Sequence, residues 1–181
     1  VQSERGDDEP GSAIFIGARN NGVIVKRNHI KSTDGNGIDV RNTAGPRRPA
    51  APPRDVDIRW NTVRHAKLNG IDVAASGVEE YVVRVNTAVD NEGVGVHAGP
   101  KTDGTVFAYN IALDNGLDCQ DESPPGDGTV GDGTAGTENT WRNNVGPNDD
   151  PDGICHKHHH KKKRHRPDPC GCPASSWRLG V

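Results

Sequence analysis

Methionine is missing from the 181-residue sequence, and leucine and aromatic residues are scarce. Only 4 Leu stand beside 18 Val and 9 Ile, and the aromatic set is 3 Trp, 2 Tyr and 2 Phe. β-Branched residues favour strands, so this ratio excludes a leucine-based helical bundle. No apolar run approaches the ~18 residues of a transmembrane helix, which excludes a membrane-spanning segment. Because no initiator Met is present, we expect a processed product or the C-terminal part of a longer protein, with a signal peptide outside this text.

The charge of the chain is unevenly distributed, with an acidic body and a basic end. Residues 156–181 carry a net charge of +6 and five of the eight His, while the remainder carries −9. Such a His-, Lys- and Arg-rich segment cannot bury a core of its own, which predicts a disordered tail. Three interpretations of the tail stay open: binding of an anionic polymer, adventitious metal capture, and simple solubilisation.

An internal repeat indicates the fold. Four alternating segments each end in Asn, at positions 28, 61, 86 and 110, and the intervals are 33, 25 and 24 residues. Residues 45–53 lengthen the first interval and are predicted to form a Pro-rich loop. A short strand preceded by Gly follows each Asn; these strands are residues 37–40, 70–73, 93–96 and 116–119.

A period near 24 with two strands per turn predicts a β-solenoid, in which stacked coils bury inward Val and Ile in one core. Asn tolerates the left-handed conformation at a bend, and its amide can bond to neighbouring backbone. We therefore expect Asn28, Asn61, Asn86 and Asn110 to stack as a structural amide ladder.

The Asn-ended strand followed by a segment such as Gly37-Ile38-Asp39-Val40 resembles the right-handed parallel β-helix repeat of pectate-lyase-like proteins and their secreted bacterial relatives. The resemblance covers residues 12–122, and residues 133–155 resemble the closing segment of actinobacterial members. It implies an all-β fold with a lead-in at 1–11, coils at 12–122, a closing segment at 123–155 and the basic tail at 156–181.

Alternation along the strands places two charged columns on the outside. A basic column contains Lys26, Arg59 and Arg84, and an acidic column contains Asp39, Asp72 and Asp118 and is interrupted by Gly95. In families that this chain resembles, acidic columns bind Ca²⁺ and a Lys or Arg abstracts the proton beside a uronate carboxylate. We therefore treat these six residues as a candidate ligand-facing set, with Ca²⁺ as a candidate cofactor and no catalytic residue assigned.

Three further side chains could contact a ligand. His97 is expected near Asp72 and Asp118, where a His beside carboxylates could act as a general base or be an ordinary surface residue. Trp60 and Tyr109 share the position before the repeated Asn, where aromatic rings could stack on sugars or cover a corner of the sheet.

Four Cys at positions 119, 155, 170 and 172 allow three pairings. A bridge between Cys119 and Cys155 would fasten the closing segment to the coils and contribute about 3–4 kcal/mol. Such a bridge implies an oxidising, extracellular setting.

Two functions from different classes remain open on the sequence. One is a secreted or cell-surface monomer that contacts polysaccharide, as a uronate-polymer lyase or epimerase if it is an enzyme. The other is a non-catalytic scaffold or adhesive module whose basic tail binds anionic cell-wall polymer. A nucleic-acid partner is not favoured.

Overall fold

The computed structural model describes residues 11–42, 51–75, 81–124 and 137–156, and these ranges contain strands and turns without a helix. No described segment is therefore a helix long and apolar enough to cross a bilayer. In chain order the strands are β1 (Ile14–Ile16), β2 (Asn21–Lys26), β3 (His29–Thr33), β4 (Ile38–Arg41), β5 (Arg54–Arg59), β6 (Thr62–Ala66), β7 (Ile71–Ala74), β8 (Tyr81–Arg84), β9 (Thr87–Val89), β10 (Val94–Ala98), β11 (Val106–Ala108), β12 (Ile111–Leu113), β13 (Leu117–Asp121), β14 (Thr140–Arg142) and β15 (Asp149–Asp150).

The strands form three parallel sheets. Sheet A contains β1, β4, β7, β10, β13 and β15, sheet B contains β2, β5, β8, β11 and β14, and sheet C contains β3, β6, β9 and β12. All strand pairs are parallel. The chain thus visits sheets A, B and C in turn, and each coil stacks on the previous one. This arrangement is a parallel β-helix, which confirms the predicted fold class.

The prediction of two strands per turn is wrong, because each complete coil has three. Sheet C follows the Asn bend and was not recognised in the sequence. Its strands bury few and mostly small apolar side chains: β3 buries Ile30, β6 buries Val63 and Ala66, β9 buries Ala88, and β12 buries Ala112. Such short segments lack the apolar alternation by which strands are recognised in a sequence.

The core is a set of apolar columns that run along the inside of the coils. On sheet A, Ile38, Ile71, Val96 and Cys119 lie in register and are fully buried. Each coil therefore contributes only a few inward side chains to one continuous core, as the low apolar content of the sequence predicts. The hydrophobic core cluster of buried side chains draws on all three sheets.

A ladder of Asn amides, buried beyond its first member, lies at the bend between sheets B and C. Successive Nδ2 groups donate to the Oδ1 of the next coil over 2.9–3.0 Å. The members are Asn28, Asn61, Asn86, Asn110 and Asn144, of which the last was not predicted.

The left-handed residue at this bend is not the Asn itself, in contrast to the sequence-based expectation. Positive φ angles occur one position earlier, at 57° for Arg27, 55° for Trp60, 53° for Val85 and 55° for Tyr109. This conformation turns the preceding side chain outward and directs the Asn amide into the interior, where it bonds along the stack.

The predicted disulfide between Cys119 and Cys155 is present, and both Cys are buried. Residues 137–156 continue the stacking, because β14 pairs with β11 in sheet B and β15 pairs with β13 in sheet A. The bridge thus fastens the last described coil to sheet A. The predicted tail with Cys170 and Cys172, residues 1–10 and most of the loop at 45–53 lie outside the described residues.

Candidate functional site

The outer face of sheet A aligns ionisable side chains across three coils. Asp39 lies opposite Asp72, and Asp72 lies opposite His97. Gln120 follows His97 in the next coil. His97 thus occupies the position in the column that was predicted for Gly95.

The predicted acidic column is therefore wrong at the third and fourth coils. Val96 pairs with Ile71 and with Cys119, which places Gly95 in register with Gly70 and with Asp118. A side chain is excluded at this position of the second coil, since a Cβ on Gly70 would lie 2.6 Å from the carbonyl oxygen of Gly95. The register is set by this close approach, which alternation alone does not reveal.

Asp118 lies apart from the other candidates and has a structural role. It is 2% exposed, and its Oδ1 accepts hydrogen bonds from the backbone and side chain of Asn115. Its Oδ2 accepts a third bond from the backbone of Asn148. The structure does not bring Asp118 together with Asp39 and Asp72.

Asp72 is the centre of what we call the sheet A cluster, formed by Asp39, Arg41, Asp72, His97 and Glu122. The Oδ1 of Asp72 lies 2.6 Å from Nδ1 of His97. Its Oδ2 accepts hydrogen bonds from Asn36 at 2.9 Å and from Nη2 of Arg41 at 3.2 Å. The residue is 4% exposed, so the carboxylate is almost entirely enclosed by these donors.

Asp39 shares Arg41 with Asp72 but is less completely hydrogen-bonded. Its Oδ2 accepts a hydrogen bond from Ser12 at 2.9 Å. The Nε of Arg41 lies 2.8 Å from Oδ1 and forms an ion pair with it. The second oxygen of Asp39 is therefore held by charge rather than by a well-aligned hydrogen bond.

The second nitrogen of His97 faces another carboxylate. Nε2 lies 3.4 Å from Oε2 of Glu122, whose side chain is 45% exposed, whereas the side chain of His97 is only 12% exposed. The amide Nδ2 of Asn69 also lies near Nδ1, at 3.3 Å, but the contact with the Asp72 carboxylate is much shorter, so we place the proton of a neutral ring on Nδ1, where it donates to Asp72. When His97 is neutral, its lone pair is therefore on Nε2, on the side of Glu122.

The environment changes the pKa values of the cluster in different directions. Burial raises the pKa of Asp39 more than the charge of Arg41 lowers it. Burial acts in the same sense on Asp72, but hydrogen bonding to His97 and the charges of His97 and Arg41 outweigh it, so its pKa is lowered. For His97 burial lowers the pKa, and the hydrogen bond and charge of Asp72, together with Glu122, outweigh that effect and raise it.

We expect the His97–Asp72 pair to stabilise the fold at weakly acidic pH and to lose this effect at alkaline pH. The folded-state pKa of His97 lies above its ordinary value of 6.5, so the contribution is complete below 6.5 and disappears as the pH rises through the folded-state value. His97→Gln should lower the free energy of unfolding by about 2 kcal/mol near pH 5.5, the size of a charge-assisted hydrogen bond. Urea denaturation at a series of pH values measures this difference.

His65→Gln is the matched control, because His65 is exposed on sheet C. The pKa of Asp72 is lowered in the folded state, so its contribution to stability has the opposite pH dependence. This contribution is present above the unfolded-state pKa of Asp72 and is lost only as the pH falls through the folded-state pKa. The range from about pH 5.5 to a pH above the folded-state pKa of His97 therefore isolates His97. An equal loss of stability at both ends of this range would contradict the assignment.

Ca²⁺ does not fit this face. The described residues contain no group of three or more His, Cys, Asp and Glu side chains that could hold a metal ion. The oxygens of Asp72 already accept bonds from His97, Asn36 and Arg41, and the cation between Asp39 and Asp72 is a guanidinium. We assign no metal to the sheet A cluster.

The predicted basic residues lie on a different sheet. Lys26, Arg59 and Arg84 are in register on the outer face of sheet B, and Ala108 follows them. Arg142 continues this column in the next coil and was not predicted. The basic and acidic candidates therefore belong to two faces of the coil.

Arg41 and Glu122, which complete the sheet A cluster, were not predicted from the sequence. Arg41 stands two positions after Asp39, so strict alternation places both on the same face and could have identified it. Glu122 follows β13 of sheet A and carries no such signal. Its position depends on the register of β13, which the sequence did not establish.

The family comparison agrees with the architecture. A family model described as a right-handed beta helix region matches residues 5–112, well over half of the chain. The match contains β1 to β11 and nearly all of β12, and thus includes Asp39, Asp72 and His97. No curated protein and no solved structure gives a significant match.

Proposed function

Because the chain belongs to the right-handed β-helix family, we propose that it acts on an extracellular acidic polysaccharide and that His97 on sheet A transfers the proton. The observation that carries the proposal is the 2.6 Å contact between Nδ1 of His97 and Asp72, which leaves Nε2 as the reactive nitrogen. A ring nitrogen held in this way by a buried carboxylate has the arrangement of a general base.

The disulfide supports the extracellular location. Cys119 and Cys155 are bridged and buried, and such bridges persist in oxidising compartments. The resemblance to pectate-lyase-like proteins favours a uronate polymer, whose carboxylates make the proton on the neighbouring ring carbon removable.

Arg41 supports a carboxylate-bearing substrate. Its side chain is 37% exposed and is the only guanidinium of the sheet A cluster. Removal of a proton beside a carboxylate builds negative charge on that group, which a nearby cation stabilises. We assign this electrostatic role to Arg41, while Asp72 positions the ring of His97.

The proposed reaction is β-elimination. Nε2 of His97 takes the proton from the carbon that bears the carboxylate, and the electron pair left behind forms a carbon–carbon double bond. The bond from the adjacent carbon to the glycosidic oxygen breaks at the same time, and that oxygen takes the proton from the imidazolium. In an epimerase water would instead supply a proton to the opposite face of that carbon, and the imidazolium of His97 would release the proton that it took to water.

Incubation of the full chain with polygalacturonate and with alginate tests both forms of the proposal. Absorbance of the unsaturated product reports elimination, and incorporation of deuterium from heavy water into the polymer reports epimerisation. His97→Gln should reduce the rate about 10²-fold, the lower end of what a general base contributes. His65→Gln should leave it unchanged. Absence of both product and exchange for the wild type would refute the enzymatic role.

A non-catalytic scaffold is the second candidate, and the pairing of Arg41 supports it. The guanidinium of Arg41 bridges Asp39 and Asp72 in neighbouring coils. A purely structural cluster would contain such a bridge, because it holds the two coils together. On this alternative the basic tail at 156–181 binds anionic polymer. Replacing the tail Lys and Arg by Gln should then abolish retention on cell-wall material.

A further inference from the structure

The outer face of sheet B carries a second arrangement that the sheet A chemistry does not use. We propose that it binds one strand of a linear polysaccharide with carboxylate or sulfate groups, lengthwise along the solenoid. We call it the sheet B stripe: Lys26, Arg59, Arg84, Arg142, Trp60 and Tyr109. The proposal does not depend on the activity of His97.

The cations of the stripe are aligned parallel to the axis of the solenoid. Lys26, Arg59 and Arg84 occupy the same position in three consecutive coils, about 4.8 Å apart. Ala108 takes the fourth place and Arg142 the fifth. A straight row of this kind matches an extended chain with regularly spaced anionic groups better than it matches a compact ligand.

One carboxylate organises the middle of the row. Oδ2 of Asp57 lies 2.6 Å from Nη1 of Arg59 and 3.0 Å from Nη2 of Arg84, so a single oxygen holds two guanidinium groups in neighbouring coils. The side chain of Arg84 remains 43% exposed. Asp57 neutralises only one of these positive charges, and the stripe retains a net positive charge for an anion.

Exposed aromatic rings lie beside the cations. Trp60 is 47% exposed and Tyr109 is 58% exposed. Each is the left-handed residue of its bend, and this conformation turns its side chain outward. The guanidinium carbons of Arg27 and Arg59 lie 5.3 and 5.0 Å from the Trp60 ring centroid, which holds the ring at the row of cations. Val85 separates the two aromatic residues, so they stand two coil rises apart, about 10 Å.

The cations and the exposed aromatic rings of the sheet B stripe together indicate an acidic polysaccharide as the ligand. Guanidinium groups pair with carboxylate and sulfate oxygens, and an exposed aromatic face packs against the C–H face of a pyranose. Nucleic acid offers similar charge and flat rings. The buried disulfide favours the polysaccharide, because it fits an oxidising compartment where acidic glycans are the common polyanions.

The test measures binding of the full chain to polygalacturonate, dextran sulfate, uncharged dextran and single-stranded DNA by affinity electrophoresis. We expect binding to the two acidic polysaccharides, and weaker binding in high salt. Lys26→Gln with Arg142→Gln leaves the Asp57 pairs intact, and adding Arg84→Gln extends the loss. The triple variant should bind about tenfold more weakly, as three exposed ion pairs predict.

The matched control removes three charges elsewhere on the surface: Arg19→Gln, Lys67→Gln and Lys101→Gln. It should retain wild-type affinity, which separates the stripe from net charge and from the tail. Emission of Trp60 should change on binding, and the change should be absent in Trp60→Phe. The relative strength of binding to polygalacturonate and dextran sulfate identifies the preferred anion.

Three results would overturn the proposal. They are wild-type affinity in the triple variant, equal weakening in the control variant, and tighter binding to single-stranded DNA than to either acidic polysaccharide. Loss of turnover in His97→Gln with unchanged binding leaves the stripe in place, so this proposal and the proposed function can fail separately.

Discussion

Replacing Asn86 by Ala should lower the free energy of unfolding by about 4 kcal/mol, the largest effect that we expect from one substitution. The Nδ2 of Asn86 donates to the carbonyl oxygen of Ile58 at 2.9 Å, and its Oδ1 accepts from the backbone and side chain of Asn61 at 3.0 Å. Alanine leaves buried groups of both neighbours without partners, at a cost of about 1–3 kcal/mol each.

Asn28→Ala is the matched control. Asn28 is the first member of the ladder and is only partly buried. Its Nδ2 donates to the carbonyl oxygen of Lys26 and to Oδ1 of Asn61, and no donor among the described residues bonds to its own Oδ1. Its replacement should cost about 1 kcal/mol, since no buried donor loses its acceptor. Thermal melting and urea denaturation measure both variants. Equal losses in the two would show that the ladder does not act through buried hydrogen bonds.

Removing the disulfide should have the second-largest effect, about 3–4 kcal/mol in the chain-entropy picture for a sequence separation of 36 residues. Cys119 lies on β13, and Cys155 follows β15, whose Asp149 accepts a hydrogen bond from the Cys155 backbone at 2.9 Å. The bridge therefore confines the last described coil, and its loss should loosen that coil first.

Cys119→Ala with Cys155→Ala tests this expectation by urea denaturation together with hydrogen exchange. Exchange should accelerate in β14 and β15 and stay slow in β4 and β7. Cys170→Ser with Cys172→Ser is the control for the other thiols and should resemble the wild type. Unchanged stability of the double Ala variant would show that the bridge is dispensable for the fold.

Architecture could be predicted from the sequence because the repeat follows from backbone physics. The Asn at 28, 61, 86 and 110 recur at the bend between sheets B and C, where each amide bonds to the next coil, so their spacing marks the coils. Inward Val and Ile alternate on sheets A and B. Sheet C escaped prediction because strands such as β9 bury one small residue, Ala88, which carries little hydrophobic signal.

The candidate site was predictable only in part, since it depends on register. Asp39 and Asp72 share a motif and indeed lie side by side. His97 joins them because β10 pairs two positions away from the expected alignment, and both Gly93 and Gly95 precede a Val, so the sequence allows either choice. The contact between Nε2 of His97 and Glu122 depends on the same register.

The measurement that tests the central proposal most directly is the pH dependence of unsaturated-product formation from a uronate polymer. Neutral His97 is the required base, so the rate should rise as the pH passes the pKa of His97. Asp72 and Glu122 raise this pKa above its ordinary value of 6.5. Glu122→Gln should move this rise to lower pH, because it removes a charge that raises the pKa of His97. A profile that is the same in the wild type, Glu122→Gln and His97→Gln would contradict the assignment of His97 as the base.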